Sequence, residues 1–165
     1  MCVALLAPAG SSAGPALTAA SAASLPTVTC DENGAVVVNS PPLVNGARLV
    51  LGVVAVPPAY IGQVVATRSQ PWRFWSKWGL FIRAGSPAVV VSVPKAWRTR
   101  AAITWGSGVG TVSALRVASC PRTLGAWNGY PGGFFLRASS ACVPLVVGVG
   151  QRSATVRFGI GRRCG

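Results

Sequence analysis

Very few side chains in this 165-residue sequence exchange protons near neutral pH. The acids number two, Asp31 and Glu32, and there is no histidine. General acid–base catalysis draws mainly on His, Asp or Glu. Asp31 and Glu32 are neighbours, and neighbours on a strand point to opposite faces, so they do not converge on one substrate atom. Carboxylate-pair glycoside hydrolysis is disfavoured for that reason, and a Ser–His–Asp or Cys–His arrangement cannot be assembled. A zinc site would need cysteines alone, and no CxxC spacing occurs. Ser76 and Lys77 are the remaining nucleophile–base pair, but sequence neighbours seldom bring their side-chain tips together. The inventory reads as a protein that is not an enzyme and uses no metal or cofactor.

What the chain does offer is cations and aromatic rings. Fifteen Lys and Arg residues give a net charge of +13. Such a field attracts anionic surfaces and polymers, with strong salt dependence. The competing reading is that the charge serves solubility. Arginine forks suit bidentate phosphate or carboxylate contacts, and the candidates are Arg83, Arg137, Arg157, Arg162 and Arg163. On strands, Phe81 shares a face with Arg83 and Phe135 with Arg137, while Arg157 points away from Val156 and Phe158. The alternative role for these arginines is to cover the outer sheet face with their apolar stems.

The candidate aromatic surface comprises Trp72, Trp75, Trp78, Trp127 and Tyr130. Three of these lie in PWRFWSKW, residues 71–78. One helical turn there would gather Trp72, Trp75 and Trp78 on one side, fit for a membrane interface or for stacking on sugars or bases. The competing reading, favoured because large aromatics usually bury, is a short helix or loop capping one end of the fold. The run WNGYPGGFF, residues 127–135, carries turn chemistry. A carbohydrate-binding module would add carboxylates or amides for sugar hydroxyls, and only Asn128 is at hand. No zinc finger, RNA-recognition signature or groove-reading helix is present, so sequence-specific nucleic-acid binding is not expected.

The elements that must position these residues are strands. Ala154, Val156, Phe158 and Ile160 alternate with Ser153, Thr155, Arg157 and Gly159. Similar alternation runs through Leu49–Ala55, Val89–Val93 and Leu115–Val117. Strands recur about every 10 residues, separated by Gly, Pro, Asn or Ser. Prolines after VVAV and VVSV should end those strands or place them at an edge. Residues 79–106 and 133–159 are similar, with Gly79/Gly133, Phe81/Phe135, Arg83/Arg137, Ala84/Ala138, Ser86/Ser140 and Arg98/Arg152 identical. The expected fold is all-β: an antiparallel β-sandwich over residues 35–165, built from two related three-strand units packed face to face.

Residues 1–22 resemble a truncated or atypical signal peptide, with an Ala20-Ser21-Ala22 cleavage pattern and no basic n-region, and residues 23–34 form a leader to the first strand. A start codon placed too far downstream would explain the short h-region. The other reading is a flexible Ala-rich leader on a cytosolic protein. Cleavage would remove Cys2 and leave Cys30, Cys120, Cys142 and Cys164, which allow three pairings. Cys120–Cys142 with Cys30–Cys164 is the expected one. No apolar run is long enough for a spanning helix.

Three segments, 93–106 (VPKAWRTRAAITWG), 127–137 and 153–164 (SATVRFGIGRRC), resemble small exported proteins of GC-rich, actinomycete-type bacteria. The resemblance implies a secreted β-rich protein and supplies no site residues. The expectation is therefore a non-enzymatic secreted or envelope-associated protein. Its partner would be an anionic cell-envelope polymer or a phospholipid surface. A structural or protein-interaction module with incidental charge is the alternative, and a carbohydrate-binding module is less favoured.

Overall fold

Short Val-rich runs broken by Gly and Pro fold as strands, because β-branched side chains fit a pleated, half-buried surface. The computed structural model describes residues 25–30, 36–38, 48–56, 60–118, 120–121 and 126–165. Strands are numbered in chain order and form three sheets. The six-stranded sheet runs β1 (Thr27–Val28), β11 (Ala114–Val117), β9 (Val89–Ser92), β14 (Ala141–Val149), β15 (Arg152–Ile160), β5 (Tyr60–Ile61). The four-stranded sheet runs β10 (Ala101–Trp105), β13 (Gly132–Leu136), β7 (Phe74–Lys77), β6 (Val65–Ala66). The five-stranded sheet runs β2 (Val36–Val38), β12 (Trp127–Tyr130), β8 (Leu80–Arg83), β4 (Val54–Val56), β3 (Arg48–Val50). Among the described residues, one 3-10 turn spans Lys95–Trp97. Among the described residues no helix is long and apolar enough to cross a membrane.

The fold is all-β, as the alternation predicts, and the ladders are antiparallel apart from β1–β11 and β15–β5, which are parallel. Period-2 burial is clearest on β14, where Val143, Leu145, Val147 and Val149 are buried and the intervening residues half-buried. Burying one such side chain stabilises by about 1.5–3 kcal/mol. The sheets meet on aromatic rings. Phe134 of β13 packs edge-on to Trp105 at 5.6 Å and tilts against Phe158 of β15 at 5.4 Å. The Trp105 indole donates to the Trp78 carbonyl at 2.8 Å. As expected for proline, β4 and β9 end just before Pro57 and Pro94. Pro144 lies inside β14, but β9 pairs β14 only from Val146 onward, so its missing N–H breaks no bond on that side.

Several expectations are corrected. The disulfides are Cys30–Cys120 and Cys142–Cys164, not Cys120–Cys142 and Cys30–Cys164. The cause is topology. Val28 pairs with Val117 in parallel, so both chains leave the sheet in the same direction and carry Cys30 to Cys120. Cys142 lies opposite Gly159, and the chain turns after Ile160 through Gly161 to bring Cys164 back to it. The first described strand is β1 at Thr27–Val28, inside the segment expected as leader, because it completes the sheet edge beside β11. The segment 74–77 is a strand, not a helical turn, because its backbone pairs with β13 and β6.

The two similar segments also do not pack face to face as units. They join edge to edge through β10–β13 and β9–β14, which satisfies their backbone groups directly. Residues 1–22, with Cys2, and the acids Asp31 and Glu32 lie outside the described residues.

Two ladders share one register. In β7–β13, Trp75 faces Phe135; in β12–β8, Gly129 faces Phe81. Each residue is displaced by the same sequence interval, with the partners exchanged. Where β9 meets β14, Ser92 faces Val146, the residue at that same interval.

Candidate anion-binding face

The inner face of the four-stranded sheet supplies core residues: Phe134, Leu136, Ile103 and Ser76 are buried. Ser76 donates to the Gln63 carbonyl at 2.7 Å, so its hydroxyl ties β7 to the connection between β5 and β6. Gly133 lets the ladder close, since an added Cβ would overlap the Ser76 carbonyl. The outer face is different. Trp75 and Phe135 lie opposite one another and are half-buried. Two residue pairs beyond Phe135, the β10–β13 ladder ends on Arg137 and Arg100. Arg137 N–H donates to the Arg100 carbonyl at 3.2 Å, and Arg73 N–H donates to the Leu136 carbonyl at 2.9 Å. Register continues from Ala101↔Leu136 to Arg100 and Arg137, whereas Arg73 and Phe74 both lie against Leu136, so Arg73 is offset from Arg137. All three side chains are exposed.

Flanking indoles hold two of them. The Arg137 guanidinium carbon lies 6.0 Å from the Trp72 ring centre, and that of Arg100 lies 4.0 Å from the Trp97 ring centre. A cation over an indole gains about 0.5–1 kcal/mol at an exposed site. Beyond Trp97 opens a cleft of about 210 Å³ lined by Trp97, Cys142, Pro144 and Arg157. Arg73 makes no side-chain contact with any described residue of the kinds that hold its neighbours.

The sequence-predicted residues are distributed as follows. Arg83 lies 5.3 Å over Trp127, its direct cross-strand partner, and the two line a cleft of about 250 Å³ with Ala84 and Ala126. Arg163 lies 5.5 Å over Tyr60, and Arg162 is exposed. Arg83 and Arg157 lie on strands of two different sheets, and Arg137 lies just past a strand of the third. The aromatic surface is only partly a surface. Trp127 is 6% exposed and Tyr130 1%, because β12 is an interior strand between β8 and β2. Trp72, Trp75 and Trp78 are half-buried, and the Trp78 indole N–H is enclosed with no acceptor among the described residues. Sequence reasoning missed Arg100 as the cross-strand neighbour of Arg137. Each flanks a strand end, but the register that aligns them is not written in any local pattern.

Compared with protein-family models, curated proteins and solved structures, the chain matches none.

Proposed function

We propose that this protein acts by contact rather than by catalysis, as an exported or envelope-associated basic β-protein that engages anionic polymers or surfaces. One observation carries the reading: every Lys and Arg among the described residues is exposed, and none of the described residues is Asp or Glu. Such a surface has no neutralising side chains among the described residues and offers its charge outward. Two disulfides join described elements, in keeping with an oxidising compartment. The similarity between residues 79–106 and 133–159 fits descent from one duplicated unit, and the matched registers support it. The test is retention of the oxidised protein on a polyanion column. Elution is expected well above ~0.15 M salt, where exposed charges are already screened beyond about 8 Å. Elution at or below that concentration would overturn the proposal.

A further inference from the structure

We propose that Cys142–Cys164 is a reactive disulfide, and that a small anionic thiol enters the cleft beside Trp97 and is taken up on Cys142 as a mixed disulfide. The inference goes beyond the anionic-partner reading and does not depend on it.

The first argument is access. Thiol–disulfide exchange needs a thiolate to reach one of the two sulfurs. The two cross-links differ in this respect. Cys120 belongs to the buried core, at 6% exposed, and Cys30 packs against that core. Cys142 and Cys164 are both half-buried, and Cys142 lines the cleft of about 210 Å³ with Trp97, Pro144 and Arg157. Strand register produces this exposure. Cys142 and Pro144 flank the core residue Val143, so both face away from the core. Their partners on β15 are Gly159 and Arg157. Gly159 carries no side chain, so the nearest β15 side chain on that face is Arg157, diagonally across from Cys142 at about 7 Å. The cleft is smaller than the ~300–1,000 Å³ of sites for drug-sized molecules, which limits the thiol to a few heavy atoms.

The second argument is charge. Arg157 borders the cleft, Arg162 and Arg163 directly precede Cys164, and none of the described residues is Asp or Glu. Positive surroundings favour exchange in two ways. They concentrate an anionic thiol, and they stabilise the thiolate that departs. In the step itself, the incoming thiolate bonds to Cys142 Sγ as the Cys142–Cys164 bond breaks. The electron pair of that bond leaves on Cys164 Sγ. The thiol sulfur is oxidised, Cys164 is reduced, and no other reagent is consumed. Return attack of the Cys164 thiolate on Cys142 expels the thiol and restores the cross-link.

The third argument is that the fold tolerates opening. Cys142–Cys164 closes over the β14–β15 hairpin, whose nine residue pairs hold its strands together without the bond. Opening frees only residues 161–165, with Arg163, which lies 5.5 Å over Tyr60 in the closed form.

The experiment exposes the oxidised full chain to 2-mercaptoethanesulfonate, 2-mercaptoethanol or cysteamine at low salt. Their thiolates are doubly negative, singly negative and net neutral. The first adduct is trapped with acid and located by peptide mass mapping, and each rate is divided by that of the same thiol acting on an uncharged small disulfide. Cys142–Cys164 is expected to open ~10-fold or more faster than Cys30–Cys120, with the adduct on Cys142. The doubly negative thiolate is expected to outpace the net-neutral one by ~10-fold, a preference that shrinks in ~0.3 M sodium chloride. Arg157→Gln should cut the preference ~3-fold or more. Arg116→Gln removes the same charge about 20 Å away along the same sheet and should change it less than ~1.5-fold. Equal opening of the two disulfides, or earlier opening of Cys30–Cys120, would overturn the reactive site. A first adduct on Cys164 would overturn entry through the cleft. Equal loss of preference in both variants would reduce the charge effect to that of the whole molecule and remove Arg157 from the site. None of these results bears on retention by a polyanion column, and failure of that retention leaves this site standing.

Discussion

The hydroxyl of Tyr130 meets a disulfide rather than water. It lies 3.2 Å from Cys120 Sγ, and because that sulfur is bonded to Cys30 the phenol must be the donor. Desolvation in this buried position raises the phenol pKa from 10.0 to about 12. The charged form is the deprotonated one, so the folded state holds its proton over a range where the unfolded chain has released it. Stability from this group is therefore complete below pH 10, declines as pH rises from 10 towards 12, and is lost beyond. The amount at stake is roughly 2–3 kcal/mol. Tyr130→Phe should cost about 1 kcal/mol or less at pH 7 and should remove most of the decline between pH 10 and 12. Denaturant midpoints of both proteins across that range give the measurement. Parallel declines would show that Tyr130 is not the group responsible.

Strand order explains the cross-links, and the cross-links fix the strand ends. β1 is two residues long and among the described strands pairs only with β11, and Cys30–Cys120 adds a covalent attachment just beyond it. Cys142–Cys164 anchors the chain after β15, where Gly161 adopts φ 67° and donates its N–H to the Ile61 carbonyl at 2.9 Å. The loops closed differ in length, with sequence separations of 90 and 22. If chain entropy dominates, losing the longer cross-link costs about 1 kcal/mol more than losing the shorter. Serine replacement of each pair, followed by thermal unfolding, tests the order. Peptide mapping without reduction should recover Cys30 joined to Cys120.

A net charge of +13 on one chain sets the behaviour of the molecule in solution. Self-repulsion opposes the compact state, and added salt screens it. The melting temperature should rise between 10 and 300 mM sodium chloride, by about 2–4 °C if ~1 kcal/mol of repulsion is relieved. A fall in melting temperature would mean that attractive pairs outweigh repulsive ones.

Alternation was legible from residue order because a strand's side chains obey a local period of two, and Val143–Val149 or Val156–Ile160 need no partner to display it. The scarcity of proton-exchanging groups was equally plain, since composition does not depend on folding. Disulfide pairing was not legible. Cys30 reaches Cys120 only because a two-residue strand pairs in parallel with β11, a contact between distant segments that leaves no mark on either. The Arg100–Arg137 pair was hidden for the same reason. Arg100 and Arg137 become neighbours through the β10–β13 register, whereas Arg83 and Arg137, alike in sequence context, stand on different sheets. Burial followed position as well: Tyr130 has the composition of a surface aromatic in a turn-rich run, but strands on both sides of β12 enclose it. Local sequence sets which face of a strand is apolar; the pairing of remote strands sets what that face, and each strand end, will meet.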